Sequence, residues 1–483
     1  MTTATAPTPP ATQGLTARAW ALLAVLCGAV FLEGIDVSMF GVALPSIRAD
    51  LDMSTSSLQW IVSAYVLGYG GFVLLGGRAA DLLGRRRMFL IGLGVFIAFS
   101  ALGGLGTEGW MLIVARFVTG ISAGFITPAA LSIITTTFPE GPARNKAVLI
   151  YAATGAGGFL FGLVAGGLLT TIGWRWVFFA PVVVGSLLLV AAVRLLPADA
   201  LRRDGPRRFD LTGAASVTAA MLLLVMGVAR ASDVGAETTA ATMAAGLVLL
   251  AAFVAVERRS PAPLLRLGIL RSAPLVRANL GAGLFIGAFI SFQFVLVLYL
   301  QELRGWSPLE SGLVLLIAGL DVALAPTLTP KLVDRFGTTP VILAGMLVAA
   351  AAYGLFLPVG PDWGYLQMLP SLVLLGIAFA LAYGALTIAA TDGIAEDEQG
   401  LAGGLLNVSF QFGAALGLAI AAAVNVAATG AGGSPDALLD GYRSAFLVPV
   451  AAVVVGAAIT AAGLRRPGKP QYVVVEAGIE HKL

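Results

Sequence analysis

Residues 77–87 read GRAADLLGRRR and separate two apolar runs, 57–77 and 87–107. Each run has about the 20 residues that carry a helix across a bilayer. Four arginines, Arg78, Arg85, Arg86 and Arg87, crowd this gap around a single acid, Asp81, set between Gly77 and Gly84. Arginines in a short loop suit a cytoplasmic anchor. An anchor explains neither Asp81 nor the paired glycines. A tight glycine-bounded turn that presents Asp81 to helix ends and neighbouring basic side chains makes a charge lock, able to break and reform as the surrounding helices move.

The same alternation of apolar runs with charged or Pro/Gly-rich gaps extends along the whole chain. It predicts fourteen spans, at 19–44, 57–77, 87–107, 110–137, 147–171, 176–196, 210–229, 239–256, 276–300, 310–330, 340–359, 366–390, 402–428 and 444–464. Of the 483 residues, 58% are hydrophobic and 11% charged, whereas a soluble domain carries about 25% charged residues. The fold class is therefore an all-α polytopic membrane protein. With the N-terminus inside, 23 of the 29 Lys and Arg fall in the tails and cytoplasmic gaps and 5 in the outer gaps, which places both termini in the cytoplasm. Residues 1–18 are expected to be a short disordered tail: the first seventeen carry no basic residue and so lack the charged start of a signal peptide.

Composition also excludes several functions. The net charge of +3 comes from basic residues spread among the gaps, and no basic stripe is left for nucleic acid. Cys27 is the only cysteine and His481 the only histidine, which leaves no disulfide, thiolate metal cluster or histidine shuttle within the spans. No metal site is expected. Nor is there a nucleotide-binding glycine loop with its lysine, or a hydrolytic motif, so neither ATP-driven pumping nor enzymatic catalysis has its parts. Lysine occurs only at Lys146, Lys331, Lys469 and Lys482, while Arg, Ala and Gly abound. That bias fits a GC-rich bacterial genome, and hence a cytoplasmic membrane.

Asp334-Arg335-Phe336-Gly337 after the tenth span echoes Asp81-Leu82-Leu83-Gly84-Arg85 after the second. Equivalent places in two six-span repeats account for the echo, and such repeats build transporters whose substrate site lies between the halves. The expected division is a tail (1–18), a first half (19–197), a loop with two additional spans (198–260), a second half (261–464) and a tail (465–483).

Two carboxylates, Glu33 and Asp36, lie inside the first span, three residues apart and so on one helical face. A charge at the bilayer centre costs about 2.5–3.5 kcal/mol, and one that is kept usually lines a cavity or a proton path. Arg116 inside the fourth span needs a partner for the same reason. Counted from Gly109 it lies about 10 Å below the outer surface, and Asp36 counted back from Leu44 about 12 Å, at 1.5 Å per residue. The two can meet. A purely structural ion pair would explain them equally well. Asp321, about midway along the tenth span, is either a cation or proton site or an acid satisfied by Thr327 or Thr329. Gln59, Tyr65, Gln293, Asn407, Gln411 and Asn425 are candidates to line a cavity, or to act as interhelical glue.

The 77–87 loop resembles the signature loop of the major facilitator superfamily, and further stretches are similar to its fourteen-span drug:proton antiporter family. Ile35-Asp36-Val37-Ser38 with Val42-Ala43-Leu44-Pro45 resembles the first-span acidic motif, and Gln59-Trp60 with Tyr65 resembles the second span. Leu300-Gln301-Glu302 with Gly305-Trp306-Ser307-Pro308 resembles the outer loop after the ninth span, and Arg116 with Gly120 and Gly124 the arginine motif implicated in proton coupling. Gly155, Gly157, Gly158, Gly162, Gly166 and Gly167 resemble the antiporter motif, except that Leu163 stands where proline is expected. The second signature loop departs too, with Pro330 and Lys331 in the places of Gly77 and Arg78.

The resemblance implies two six-helix halves plus two central spans, a monomer in the lipid bilayer, and no cofactor beyond the proton gradient. It also implies a small-molecule substrate: lipophilic or cationic drugs exported by alternating access. Asp36 is the first candidate for proton coupling, with Glu33, Arg116 and Asp321 beside it. Gly77, Asp81, Gly84, Arg85 and Arg86 are the gating set. The missing proline keeps open a proton-coupled importer, or an exporter of one metabolite, on the same fold.

Overall fold

The computed structural model describes residues 16–138, 142–198, 210–230, 234–260, 263, 265, 267–392, 394, 399–430 and 434–464. The expected tails therefore lie outside the described residues except for 16–18, as does most of the basic loop after the sixth span. Among the described residues there are fifteen α-helices and no strand. The first six are α1 (Ala17–Leu51), α2 (Thr55–Leu83), α3 (Arg85–Gly104), α4 (Gly109–Thr137), α5 (Pro142–Ile172) and α6 (Trp176–Leu195). Next come α7 (Leu211–Ala229) and α8 (Ala236–Arg259). The rest are α9 (Ala273–Leu298), α10 (Pro308–Leu316), α11 (Asp321–Phe336), α12 (Thr338–Gly354), α13 (Tyr365–Thr391), α14 (Gln399–Thr429) and α15 (Pro435–Leu464). Eleven helices are long and apolar enough to cross a membrane, and shorter apolar helices occupy Ala215–Val228, Pro308–Leu320 and Thr338–Gly354.

Three differences from the sequence reading bear on the site. The helix α1 runs through Pro45 to Leu51 instead of stopping at 44. The expected glycine-bounded turn at 77–87 shrinks to one residue: α2 stays helical past Gly77 and Asp81 to Leu83, and only Gly84 breaks it, at φ 108. Gly77 has no conformational need that marks a turn. A positive φ is what an L-residue resists, and it recurs at Gly337, φ 81, between α11 and α12. The span expected at 310–330 is split. A 3-10 turn, Ile317–Leu320, separates α10 from α11, so that Asp321 opens a helix instead of sitting in the middle of one.

The helix pairings of α1–α6 recur in α9–α15. As α1 packs on α5 and α6, so α9 packs on α14 and α15; as α2 packs on α4, so α11 packs on α13. The α3 contacts with α4 and α6 return as α12 with α13 and α15. The inserted pair α7 and α8 packs on itself, and α7 bridges α2 and α14, one helix from each repeat. Between the repeats, α1 meets α9 and α10, α2 meets α14, and α5 meets α10.

In lipid, helices associate through close packing and not through hydrophobic expulsion, so small residues sit where backbones approach. A methyl group on Gly158, Gly162 or Gly166 of α5 would run into the α1 backbone at Phe31, Ile35 or Met39. This stripe clamps α5 against the helix that carries Glu33 and Asp36. The same device repeats in the second half, where Gly413 and Gly417 of α14 abut Gly283 and Gly287 of α9. Gly162→Leu should therefore lower the yield of folded protein and its Tm, since overpacking a tight contact costs about 1–3 kcal/mol. Gly157→Ala, with open space beside it, should leave both unchanged; equal behaviour of the two variants in detergent thermal melts would dismiss the clamp.

Candidate functional site

The centre of the first half is an ion pair. Arg116 Nη1 of α4 lies 2.5 Å from Asp36 Oδ2 of α1, and the two residues are 2% and 1% exposed. Arg116 Nε also donates to the carbonyl of Ile61 on α2 at 3.2 Å. Its guanidinium carbon sits 3.9 Å from the Phe40 ring centroid and 4.3 Å from that of Tyr65. Three helices and two aromatic faces thus hold one arginine. A planar cation satisfied by a carboxylate, a carbonyl and π-faces is the form in which a charge survives burial. Gly120, one turn beyond Arg116, makes this possible: a Cβ there would strike the backbone of Tyr65, so glycine sets the α2–α4 distance.

Glu33 takes a different environment. Thr127 of α4 donates to its Oε2 at 2.5 Å, and the Tyr69 hydroxyl of α2 is directed at the same carboxylate. No cation pairs with it among the described residues. Tyr65 and Tyr69 touch edge to face, 6.3 Å between centroids, and link the two acids along α2. Asp321 stands apart from the Asp36–Arg116 pair, at the start of α11. Neither threonine proposed for it serves: Thr329 donates to the carbonyl of Ala380, and Thr327 to Leu324 of its own helix. Tyr383 of α13 lies within electrostatic reach of both Asp321 and Glu33. Tyr383 is 43% exposed, and its ring stacks on that of Phe410 of α14, 5.2 Å between centroids.

The remaining candidates divide by position. Gln293 of α9 lies over Gly41 of α1, and Gln411 of α14 over Gly70 of α2; both are at the junction between repeats. Asn407 turns back to its own helix, donating to Gly403 at 3.5 Å. Gly167 faces Leu309 of α10, and Gly312 of α10 faces the carbonyl of Leu163, which is 2% exposed. Leu163 thus packs at a crossing between the halves, in a continuous helix. In the gating set, Arg86 donates to the carbonyl of Val193 on α6 at 2.8 Å, while the Asp81 side chain lies outside the described residues. Among the described residues, no cluster of three or more His, Cys, Asp or Glu is placed to hold a metal.

The structure adds residues that the sequence reading passed over. Thr127 stands three turns from Arg116 on one face of α4, a spacing that was available as a signal. Tyr69 and Tyr383 gave none, because their value depends on which face of an apolar helix meets the acids. A latch joins α1 to the π-helical turn Tyr299–Leu303 that follows α9: Arg48 Nη1 lies 2.8 and 2.9 Å from the two oxygens of Glu302, Tyr442 of α15 donates to Glu302 at 3.2 Å, and Gln301 donates to the carbonyl of Val42 at 2.9 Å.

A family model described as Major Facilitator Superfamily matches residues 26–418. The chain belongs to the major facilitator superfamily. As a member it is a transporter and not an enzyme, a multi-pass protein of the bacterial cytoplasmic membrane. It is similar to the puromycin resistance protein pur8 of Streptomyces alboniger, 37% identical over 92% of this chain and 90% of the relative. The cephamycin export protein CmcT of Amycolatopsis lactamdurans is 36% identical over 89% of this chain and 90% of the relative. The lincomycin resistance protein of Streptomyces lincolnensis is 34% identical over 90% of each. Among solved structures, an auto-inhibited POT family peptide transporter superposes with a TM-score of 0.69 at 16% identity, covering 93% of this chain and 98% of that one. A bacterial homologue of the lysosomal transporter Spinster, inward-facing and occupied, gives 0.67 at 18%, covering 94% and 98%. At such identities they show the shared major facilitator fold alone.

Proposed function

We propose that this transporter exports lipophilic or cationic drugs and antibiotics across the cytoplasmic membrane in exchange for protons. The observation that carries the reading is the buried Asp36–Arg116 pair, with Glu33 close enough to Asp36 to interact with it electrostatically. Relatives named for puromycin resistance, cephamycin export and lincomycin resistance support the substrate class. Fourteen crossings follow if the broken α10–α11 pair counts as one and α7 and α12 span despite their length. The distribution of Lys and Arg supports cytoplasmic termini. The recurring helix pairings support two six-helix halves around the inserted α7–α8; with both halves in one chain, the proposed working unit is a monomer.

With that orientation, the Arg48–Glu302 and Gln301–Val42 contacts close the outer side. A carboxylate shared by proton and cationic substrate cannot hold both. Substrate entering from the cytoplasm displaces the proton; after the halves rock, a proton from outside displaces the substrate. Asp36 is the coupling group in this scheme, Arg116 its counter-charge, and Glu33 and Asp321 the substrate-facing acids. The proton gradient is the only energy source it requires.

Import, or export of a single metabolite, is the second reading. It is favoured by Leu163 at the position of the expected proline and by the unbroken α5. Everted vesicles distinguish the two. Adding ethidium, puromycin or a quaternary ammonium compound to acid-loaded vesicles should release protons from the lumen. Proton movement in the same direction as the substrate would establish symport in its place.

A further inference from the structure

We infer that the start of α2, the start of α4 and the end of α7 form a binding site for one anionic phospholipid, with its phosphate on Arg230 and an acyl chain in the groove beside it. These helix ends enclose a cavity of about 580 Å³, within the range of about 300–1,000 Å³ that small-molecule sites occupy. The cavity shares no residue with the Asp36–Arg116 pair or with the Arg48–Glu302 latch. With the termini inside, it opens at the outer leaflet.

One wall is polar. Ser54, Ser56 and Ser57 line it beside α2, and Arg230 lines it at the end of α7. The Ser54 hydroxyl donates to Ser57 at 3.0 Å, so Ser57 keeps its own hydrogen for a further acceptor. Arg230 is the exception among the outer arginines. Arg48, Arg175, Arg304 and Arg443 stand 2.8 to 3.6 Å from Glu302, Asp50, Asp362 and Asp440. Arg230 is exposed and makes no ion pair among the described residues, and no carboxylate among them lines the cavity. A guanidinium without an acid, next to a hydroxyl with a hydrogen to give, suits a phosphate, which accepts from both. It repels the cationic compounds proposed as substrates.

The other wall is apolar. Leu222, Met226 and Arg230 recur every four residues, so one face of α7 carries the charge at its tip and an apolar groove beneath it. From Arg230 to Leu222 the groove runs about 12 Å along the helix. Ile113 of α4 and Leu223 line it as well, and Trp60 adds an indole of the kind that sits at headgroup level. Next to Ile113, Trp110 and Val114 are 58% and 47% exposed, which makes the groove continuous with the lipid-facing side of α4. A free phosphate ion would leave the apolar wall wet, whereas a phospholipid covers both walls. Seated there, it ties the inserted α7 to α4 of the first half.

Thermal melts and native mass spectra of the delipidated full-length protein in detergent test this, and neither depends on transport. Dioleoyl phosphatidylglycerol should raise the wild-type midpoint several degrees above that in phosphatidylcholine with the same chains, as a ligand of the folded state does. Glycerol 3-phosphate should leave it unchanged. Arg230→Gln, at an exposed position, should keep the lipid-free midpoint but need about tenfold more phosphatidylglycerol for the same rise, the loss expected for one charged hydrogen-bond donor. Arg230→Lys should restore most of the response. In the mass spectra the wild type should retain one phosphatidylglycerol that Arg230→Gln has lost. The arginines of the cytoplasmic gaps are common to all three proteins, so the difference reports this site. The same lipid dependence in wild type and Arg230→Gln overturns it. An equal rise with glycerol 3-phosphate overturns the lipid in favour of a free anion, and an equal rise with phosphatidylcholine overturns the recognition of charge.

Discussion

Asp36→Asn is expected to bring pH-gradient-driven ethidium uptake into everted vesicles down to the rate of vesicles lacking the protein, with ethidium exchange retained. Asparagine keeps the size of the side chain, and its carbonyl still accepts from Arg116. What it loses is the ability to exchange a charge for a proton. Arg116 remains held by the Ile61 carbonyl and by the rings of Phe40 and Tyr65, so the helices stay in place. The separation of the two fluxes is the informative result. A coupling group is needed for net antiport, where the carrier must release a proton in each cycle, and is dispensable for exchange of substrate against substrate. Glu33→Gln should behave differently. Its carboxylate is satisfied by Thr127 and Tyr69 rather than by a cation, so the loss should fall on apparent ethidium affinity, with gradient-driven transport still measurable at saturating dye. Gradient-driven transport at the wild-type rate in Asp36→Asn would remove Asp36 from the coupling role.

The parts of this design visible in the sequence are those that do not depend on which way a helix faces. Apolar length located the helices, the asymmetry of Lys and Arg supplied an orientation, and counting residues from the helix ends put Asp36 and Arg116 at matching depths, where the structure pairs them. Rotation about the helix axis was hidden. A helix touching protein on one side and lipid on the other is apolar all round, so periodicity carries little information about its buried face. For this reason Tyr69 and Tyr383 passed as ordinary aromatic residues. Glycine misled in one place for a related reason. Gly77 signals a turn only if its φ is positive, and the structure keeps it helical while Gly84 takes the strained conformation. The break before Asp321 coincides with tertiary contacts: Gly312 of α10 meets Leu163 of α5, and Gly319 of the 3-10 turn meets Leu160, contacts that no local pattern in 310–330 announces.

Arg116→Leu should be the most destabilising single substitution in the molecule. It leaves Asp36, 1% exposed, without its counter-charge, and removing one partner of a buried pair costs about 3–5 kcal/mol. The loss extends beyond the ion pair, because Arg116 also ties α4 to α2 through Ile61 and fills the space between Phe40 and Tyr65. A double variant, Asp36→Asn with Arg116→Leu, separates these terms. It removes the stranded charge but not the lost packing and carbonyl contact, so it should be more stable than Arg116→Leu alone and less stable than the wild type. Arg116→Lys should fall between them, since an ammonium on a flexible stem cannot offer a planar face to two rings while bonding a carboxylate and a carbonyl. Detergent unfolding monitored by Trp fluorescence gives the order. If Arg116→Leu unfolds at the wild-type midpoint, the buried pair does not organise this half; if the double variant is no more stable than Arg116→Leu, the cost lies in packing and not in the unpaired acid.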